Sequence, residues 1–262
     1  MDQYSYNNQY KNKMTHFNKM RICFTSVVIW PNKKVADKPK IFERNPDYDY
    51  FLFSNLTQED FDTSWDVVNV DMDFLKDHRN DIIRSRYFKF MGWKYIKEVL
   101  KKEYDIIYFC DATRSPNHDT DWIELSNRIL SHPHPLGQRV HTSSPYDECK
   151  NIVRFKKDTQ KNADKTVAWM KERGVPEQKT MCYENTAFGY NPSDEFIQKV
   201  FTEFWNTYTT ADITHRDQPT WSYVTWKNEV KPYIIDNTGN RKKINTMFPE
   251  GGKQGNNSHR YA

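Results

Sequence analysis

The sequence predicts an α/β protein with a Rossmann-like, mixed and mainly parallel sheet that is flanked by helices. Short runs rich in β-branched and aromatic residues alternate with helix-length segments whose apolar residues recur about every 3.6 positions. Strands that are separated by such segments pair mainly in parallel. The chain shows no repeat and no interdomain linker. We therefore expect one domain over 19–262, after a flexible tail at 1–18, with a loop-rich tail at 237–262 that closes over the site.

Five apolar runs are predicted to be strands, and several of them end on polar residues. The first closes at a Pro-Asn pair, the second at Ser54 and Asn55, and the fourth at Asp111. The runs are "RICFTSVVIW" (21–30), "YDYFLFSN" (48–55), "WDVVNVD" (65–71), "YDIIYFCD" (104–111) and "NTAFGYNP" (185–192).

Helical periodicity accounts for most of the intervening chain. It predicts helices over 79–100, 122–130, 163–173 and 194–208. A further helix is expected to start near Pro219, because proline suits the first helical position.

Composition limits the classes of ligand. The net charge of +4 comes from 39 basic and 35 acidic residues without a basic arm, so nucleic acid is not an expected partner. The eight glycines form no phosphate-cradling motif, so a bound diphosphate would need a metal and basic side chains. The four cysteines form no CxxC pair, which argues against a zinc site or a disulfide framework. No apolar run reaches the ~20 residues of a membrane span.

Polar residues at strand ends mark a candidate ligand site. Thr25, Asn55 and Asp111 are expected near the carboxyl edge of the sheet, where open α/β sheets bind ligands. Arg86 and Lys89 are three residues apart on one face of the preceding helix. This basic pair either snorkels from an apolar face or clamps an anion, and the sequence leaves both readings open.

Asp111 is the candidate metal ligand. A hard divalent cation that bridges phosphates takes one or two carboxylates and fills the rest of its shell with phosphate and water oxygens. No second acid follows two residues on, since Thr113 stands there. His259, in the C-terminal tail, is either a further ligand or a solvated side chain.

Two other stretches carry candidate site residues. Asp217 and Gln218 precede Pro219 at a helix entrance, whose positive end favours an ionised Asp217. An ionised carboxylate suits sugar hydroxyls or an oxocarbenium-like centre, although an ordinary helix cap explains the pair equally well. Glu184, just before a strand, is a candidate base, an acceptor ligand or a rim charge.

An ordered series of segments resembles the glycosyltransferases of the GT-A type. More narrowly, it is similar to a glycosyltransferase-like family, formerly a domain of unknown function, known from plant proteins of mucilage and turgor control. The resemblance covers about residues 21 to 230. The segments are "DYDYFLFSN", "RSRYFKF", "YDIIYFCDA", "HTSSPYDEC", "WMKERGVPEQKTMCYENTAFGYNP", "FWNTY" and "HRDQPTWSYVTWK".

The resemblance implies a metal-dependent transferase that takes a nucleotide-sugar donor, with UDP-sugar the favoured choice, and a glycan or glycoprotein acceptor. The metal would be Mn²⁺ or Mg²⁺, held by Asp111 and His259. Arg86 and Lys89 match the basic positions of the helix before the strand, and together with the metal-linked Asp111 they would lie against the diphosphate of the donor. Plant relatives are typically membrane-anchored, and this chain carries no anchor, so a cytoplasmic setting is implied.

The remaining roles follow from the same resemblance. Thr25 and Asn55 would lie against the nucleoside, and Glu184 with His141 would face the acceptor. The pair formed by Asp217 and Gln218 is similar to the DQ motif that lies by the donor sugar in retaining enzymes, so retention of configuration is the expected outcome.

Two rival functions stay open. A glycan- or nucleotide-binding module that has lost catalysis would explain the missing second carboxylate. A metal-dependent phosphohydrolase would use the "HPHP" stretch at 132–135, but these histidines lack a paired acidic cluster.

Overall fold

The computed structural model describes residues 19–30, 36–78, 80–141, 143–177, 182–235 and 246–249. Seven strands in this part of the chain form one mixed sheet. They are β1 (Ile22–Val28), β2 (Asp49–Ser54), β3 (Asp66–Asn69), β4 (Ile106–Cys110), β5 (Leu136–Val140), β6 (Tyr183–Tyr190) and β7 (Tyr233–Ile234). Their order across the sheet is β3-β2-β1-β4-β6-β5-β7.

The strand order contains a reversal between β1 and β4. From β1 the chain builds outward through β2 and β3, and it then returns to add β4 on the other side of β1; all three pairings are parallel. Strand β6 runs antiparallel to both β4 and β5. The carboxyl ends of β1 and β4 therefore meet at a topological switch point, where such sheets leave a crevice.

Six α-helices cover the two faces of the sheet in the described part of the chain. They are α1 (Asp81–Tyr95), α2 (Trp122–Leu130), α3 (Pro145–Arg154), α4 (Gln160–Glu172), α5 (Glu195–Thr210) and α6 (Asp217–Lys227). Helix α1 is capped at its N-terminus by Asn80, whose side chain accepts a hydrogen bond from Ile83 N. The helix continues into a π-helical segment over Ile96–Leu100.

Two apolar layers, one on each face, hold the sheet in place. On one face, the Phe90 ring of α1 packs against Phe188 of β6, and Phe204 of α5 and Trp221 of α6 pack against Phe90. On the other face, Phe24 and Tyr108 pack with Trp122 of α2. Large aromatic side chains thus supply much of the buried apolar surface, which compensates for the low aliphatic content of the chain.

The described end of the chain returns to the second layer. Phe248 is fully buried against Tyr108 and Trp122, and its carbonyl oxygen accepts a 2.7 Å hydrogen bond from Arg114. This contact anchors residues 246–249 beside the loop that follows Asp111.

The α/β prediction and each predicted strand and helix are confirmed, with differences at the boundaries. Helix α6 begins at Asp217 rather than at Pro219, which is its third residue; the missing proline N–H belongs to the first four, which have no partner inside a helix. Strand β6 begins earlier than predicted and is antiparallel. The sequence prediction lacked β5, α3 and β7.

Some expectations lie outside the described residues. These are the tail at 1–18, Arg79, the tail residues 237–245 and 250–262, and with them His259. Among the described residues, no helix is long and apolar enough to cross a membrane.

Candidate functional site

A cleft of about 130 Å³ lies at the switch point between β1 and β4. Most of its apolar lining comes from the end of β1, and its charged lining comes from Asp37, Arg86 of α1, Asp111 after β4 and Arg216. The cleft therefore combines an apolar surface with charged groups. Its lining residues are Val27, Ile29, Trp30, Asp37, Ile82, Ser85, Arg86, Asp111, Ala112, Thr113 and Arg216.

A network of charges lies behind the polar side. Lys89 Nζ lies 3.1 Å from Asp217 Oδ2 and 3.3 Å from Asp111 Oδ1. Arg86 Nε lies 3.1 Å from the same Asp217 oxygen. Asp217 and Lys89 are buried, whereas the Asp111 side chain is 45% exposed. Two cations thus share one buried carboxylate, and Lys89 links that carboxylate to Asp111.

Asp217 is held in its ionised form. Burial alone would raise the pKa of this carboxyl, but Lys89, Arg86 and Arg216 together lower the pKa well below its usual range. The sequence attributed an ionised Asp217 to the helix end, whereas neighbouring cations supply most of the effect. Asp217 does not line the cleft, so its first task is to hold Arg86 and Lys89 in place.

Asp111 follows β4 directly, and its backbone fixes its position. Its N–H donates to Thr186 O of β6 at 2.9 Å, and its carbonyl accepts from Arg114 N. One carboxylate oxygen contacts Lys89 while the side chain stays accessible from the cleft. This accessible carboxylate suits the binding of Mg²⁺ or Mn²⁺ through substrate phosphates, which needs only one or two protein ligands. Asp37 is the second acid in the lining of the cleft. Within the described ranges, no group of three His, Cys, Asp or Glu side chains forms a metal cage.

A second pair of cations, Lys157 and Arg216, lies next to this network. Asp158 connects the two segments that carry them: it accepts hydrogen bonds from Thr214 Oγ1 at 2.7 Å and from His215 N at 3.2 Å, and it pairs with the His215 ring. Burial lowers the pKa of Lys157, and Arg216 lowers it further, while Glu148, Asp217 and Asp111 act in the opposite direction. Lys157 is thus within electrostatic range of the whole cluster.

Thr25 and Asn55 do not line the cleft, contrary to the expectation that both would lie against a nucleoside. Thr25 is buried within β1, and its hydroxyl donates to Tyr108 O at 3.3 Å, because the strand continues to Val28 and places Trp30 at the edge instead. Asn55 acts through Trp30: its Oδ1 accepts from Trp30 N at 3.1 Å and its Nδ2 donates to Trp30 O at 2.7 Å.

Glu184 and His141 lie at the start of β6 and just after β5. Glu184 pairs with Arg139, with Nη1 3.2 Å from Oε2, and His141 Nε2 lies 3.9 Å from Glu148 Oε2. The antiparallel pairing of β6 with β4 brings Glu184 to the same edge of the sheet as the loop after Asp111. Both side chains therefore lie at the site's edge, although neither lines the cleft.

Gln218 is buried and braces the site. Its amide nitrogen donates to the Tyr183 carbonyl oxygen and contacts the Cys182 sulfur at 3.1 Å, which fixes α6 to the start of β6. It does not line the cleft described above. Its position is that of a structural support for Asp217.

Sequence reasoning missed Trp30, Arg216 and Lys157. Trp30 could have been found, because it is the last residue of an apolar run that ends at a proline. Arg216 stands beside Asp217 in a stretch that already drew attention. No sequence pattern marks Lys157, because it lies in a basic loop. Its position beside the site depends on the hydrogen bonds of the neighbouring Asp158 to Thr214 and His215.

No protein-family model matches the chain, and no curated protein matches it. The class that the fold and the site define is an α/β protein with a charged cleft at the switch point of a mixed sheet.

Proposed function

We propose that this chain is a metal-dependent glycosyltransferase of the GT-A type. It would move a sugar from a nucleotide sugar, with a UDP-sugar as the favoured donor, to a glycan or glycoprotein acceptor. The supporting observation is the position of Asp111: it lines the cleft at the switch point together with Arg86, and Lys89 connects it to Asp217.

The cleft offers complementary surfaces to the two ends of such a donor. Trp30 and Ile29 supply an apolar surface for a nucleobase, with Trp30 held at both backbone groups by Asn55. Arg86 and Arg216 supply positive charge for the diphosphate. In this proposal Trp30, rather than the expected Thr25, contacts the nucleoside. Asn55 acts indirectly, because it holds the Trp30 backbone.

The chain's own residues would support the reaction electrostatically. Transfer breaks the bond between the sugar's anomeric carbon and the diphosphate oxygen, so negative charge develops on the departing group. Fixed cations placed where that charge develops lower the barrier. Asp217 keeps Arg86 from moving toward solvent, and this is the positioning role we assign to it.

A bound Mn²⁺ or Mg²⁺ would neutralise the same developing charge as a Lewis acid. Asp111 would hold it. His259, expected as a further ligand, lies outside the described residues and keeps that role only as a prediction.

The acceptor would approach from the edge formed by the start of β6 and the end of β5. Glu184 and His141 lie there and remain the proposed acceptor residues. Retention of configuration also remains a prediction, and NMR of the newly formed anomeric proton tests it.

The decisive experiment compares sugar-nucleotide turnover by the wild type and by Asp111→Asn, with and without Mn²⁺. We expect metal-dependent release of nucleoside diphosphate from the wild type. The variant should lose at least about a hundredfold, since Asp111 would hold the metal that stabilises the departing group, and loss of one such stabilising interaction costs about 10²–10³ in rate. Asp119→Asn is the matched control, because Asp119 is an exposed acid in the loop further along and pairs only with His118 among the described residues. Absence of turnover with every nucleotide sugar and metal would refute the transferase.

A non-catalytic binding module of the same fold is the second candidate. It is favoured by the fact that, among the described residues, Asp111 has no carboxylate cluster around it. Such a module would bind nucleotide or glycan and release no product, and Asp111→Asn would leave its glycan affinity intact.

A further inference from the structure

The cations around the cleft differ in their contacts with carboxylates. Arg86 and Lys89 both contact Asp217, and Lys89 also contacts Asp111, so two carboxylates offset two cations. Lys157 and Arg216 lie beside this balanced group. Neither of them forms an ion pair within 4 Å with a carboxylate of the described residues. The pair therefore lacks the direct carboxylate contact that Arg86 and Lys89 have, although Asp37 also lines the cleft and Glu148 acts on Lys157 at longer range.

Backbone contacts hold Lys157 in place. At the end of α3, Lys157 N donates to Ile152 O at 2.8 Å and Lys156 N donates to Val153 O at 2.9 Å, which is the hydrogen-bond pattern of a Schellman motif. Lys156 occupies its left-handed position with φ 52°, which is uncommon for a residue other than glycine. The turn is thus fixed at both sides of Lys157.

Side-chain contacts fix the same segment to Arg216. Asp158 bonds Thr214 and His215, and Thr214 Oγ1 in turn accepts from Arg216 N at 3.2 Å. Two like charges are therefore brought together by a preformed framework. Their mutual repulsion and the partial burial of Lys157 are unfavourable in the free protein, and an anion between them would relieve both.

We propose that Lys157 and Arg216 form a two-cation site for the phosphate groups of a diphosphate. The identification of the bound anion as the leaving nucleoside diphosphate rests on the proposed transferase function. The existence of an anion site does not. The sequence led us to expect Arg86 and Lys89 against the diphosphate; the site proposed here keeps Arg86 at its side and places Lys157 and Arg216 in the role expected of Lys89. Lys89 already contacts two carboxylates and instead links Asp111 to Asp217.

Titration calorimetry with inorganic diphosphate tests the site, in buffer with Mg²⁺ and again with EDTA. We expect Lys157→Met and Arg216→Gln each to weaken binding about tenfold or more in both buffers, because each removes one charge-assisted contact. Lys157→Arg should restore most of the affinity. Lys199→Gln is the matched control: it removes the same charge from an exposed position on α5, and its binding should equal that of the wild type.

The outcomes separate this inference from the proposed function. Absence of diphosphate binding by the wild type, or wild-type affinity in Lys157→Met and Arg216→Gln, would overturn the two-cation site even if sugar-nucleotide turnover is found. Diphosphate binding that depends on both residues would support the site even if no nucleotide sugar is turned over.

Discussion

Lys89 Nζ lies 3.1 Å from Oδ2 of Asp217, and the two side chains are only 4% and 5% exposed. Such a pair gains little over an apolar replacement, because removing both charges from water is costly. Removal of only one of the two charges is different, because the other charge then stays buried without its partner, which lowers stability. The pair therefore tests whether the charges behind the cleft act as one unit.

We predict that Lys89→Met lowers the free energy of unfolding by about 3 kcal/mol, near the lower end of the range for breaking a buried pair, because Arg86 still offsets part of the Asp217 charge. Urea denaturation at neutral pH measures the loss. The double variant Lys89→Met with Asp217→Asn is the control, and it should lose less than the sum of the two single variants. A loss below about 1 kcal/mol in Lys89→Met would contradict the arrangement.

Asp217 should also make stability depend on pH. Its pKa in the folded protein is well below the value of an unfolded chain, 3.8, since Lys89, Arg86 and Arg216 outweigh the effect of burial. Between these two values the unfolded state binds more protons, so stability rises with pH. The contribution is fully present above about pH 5 and is lost as the pH falls through the folded-state pKa.

The measurement is the difference in unfolding free energy between the wild type and Asp217→Asn from pH 7 to pH 3. We expect this difference to be constant down to about pH 5 and to shrink below about pH 4. The other carboxyls are common to both proteins, so their titration contributes to both stability curves. A difference that stays flat to pH 3 would show that Asp217 is not the group that titrates.

The fold could be predicted because its strands carry local patterns. The runs of β1, β2 and β4 are mostly apolar and buried, and the polar residues that follow them locate the carboxyl edge. Strand β5, "LGQRV", has no such pattern; it is fixed by its neighbours, since a Cβ on Gly137 would lie 2.5 Å from Ile129 Cδ1. The sequence therefore could not show where the antiparallel half begins.

The site was predictable only where it follows strand ends or helix faces. Asp111 and Arg86 line the cleft as their positions indicated. Lys157 depends on a bond between Asp158 and Thr214, which are 56 residues apart. Thr25 failed to reach the cleft because the strand extends three residues beyond it. Such long-range contacts and strand-end positions are not encoded in a local pattern.

Gly189 provides a test of the packing that holds β6 beside β4. A Cβ at this position would lie 2.6 Å from Cδ1 of the buried Tyr108 ring, whose hydroxyl is fixed at 2.9 Å from Ser126 Oγ. We predict that Gly189→Ala lowers the free energy of unfolding by ~1–3 kcal/mol, the usual cost of overpacking. Urea denaturation gives the value.

Gly92 is the matched control for this substitution. It lies inside α1, and its nearest neighbour to an added Cβ is Phe53 Cε2 at 3.6 Å, an ordinary contact. Gly92→Ala should therefore raise stability by ~0.5–1 kcal/mol, because alanine favours the helix. Equal effects of the two substitutions would show that the Tyr108 ring does not limit the space at Gly189.

Trp30 should determine the affinity for the base of a nucleotide and leave the affinity for a bare diphosphate unchanged. It lines the cleft at the end of β1, whereas Arg216 lines the charged side. Stacking of one base on an aromatic side chain contributes ~1–3 kcal/mol. Trp30→Ala should weaken UDP binding about tenfold, as measured by titration calorimetry. The dissociation constant for inorganic diphosphate, measured on the same variant, is the internal reference.

Asn55→Ala should produce a smaller loss in the same titration, because it frees the Trp30 backbone without removing the ring. Trp226→Ala is the control, since this indole lies at the end of α6 and is partly exposed away from the lining of the cleft. If Trp30→Ala bound UDP as the wild type does, or lost UDP and inorganic diphosphate equally, the apolar side of the cleft would not be the base site. A selective loss for UDP would instead assign the two ends of the donor to the two sides of the cleft.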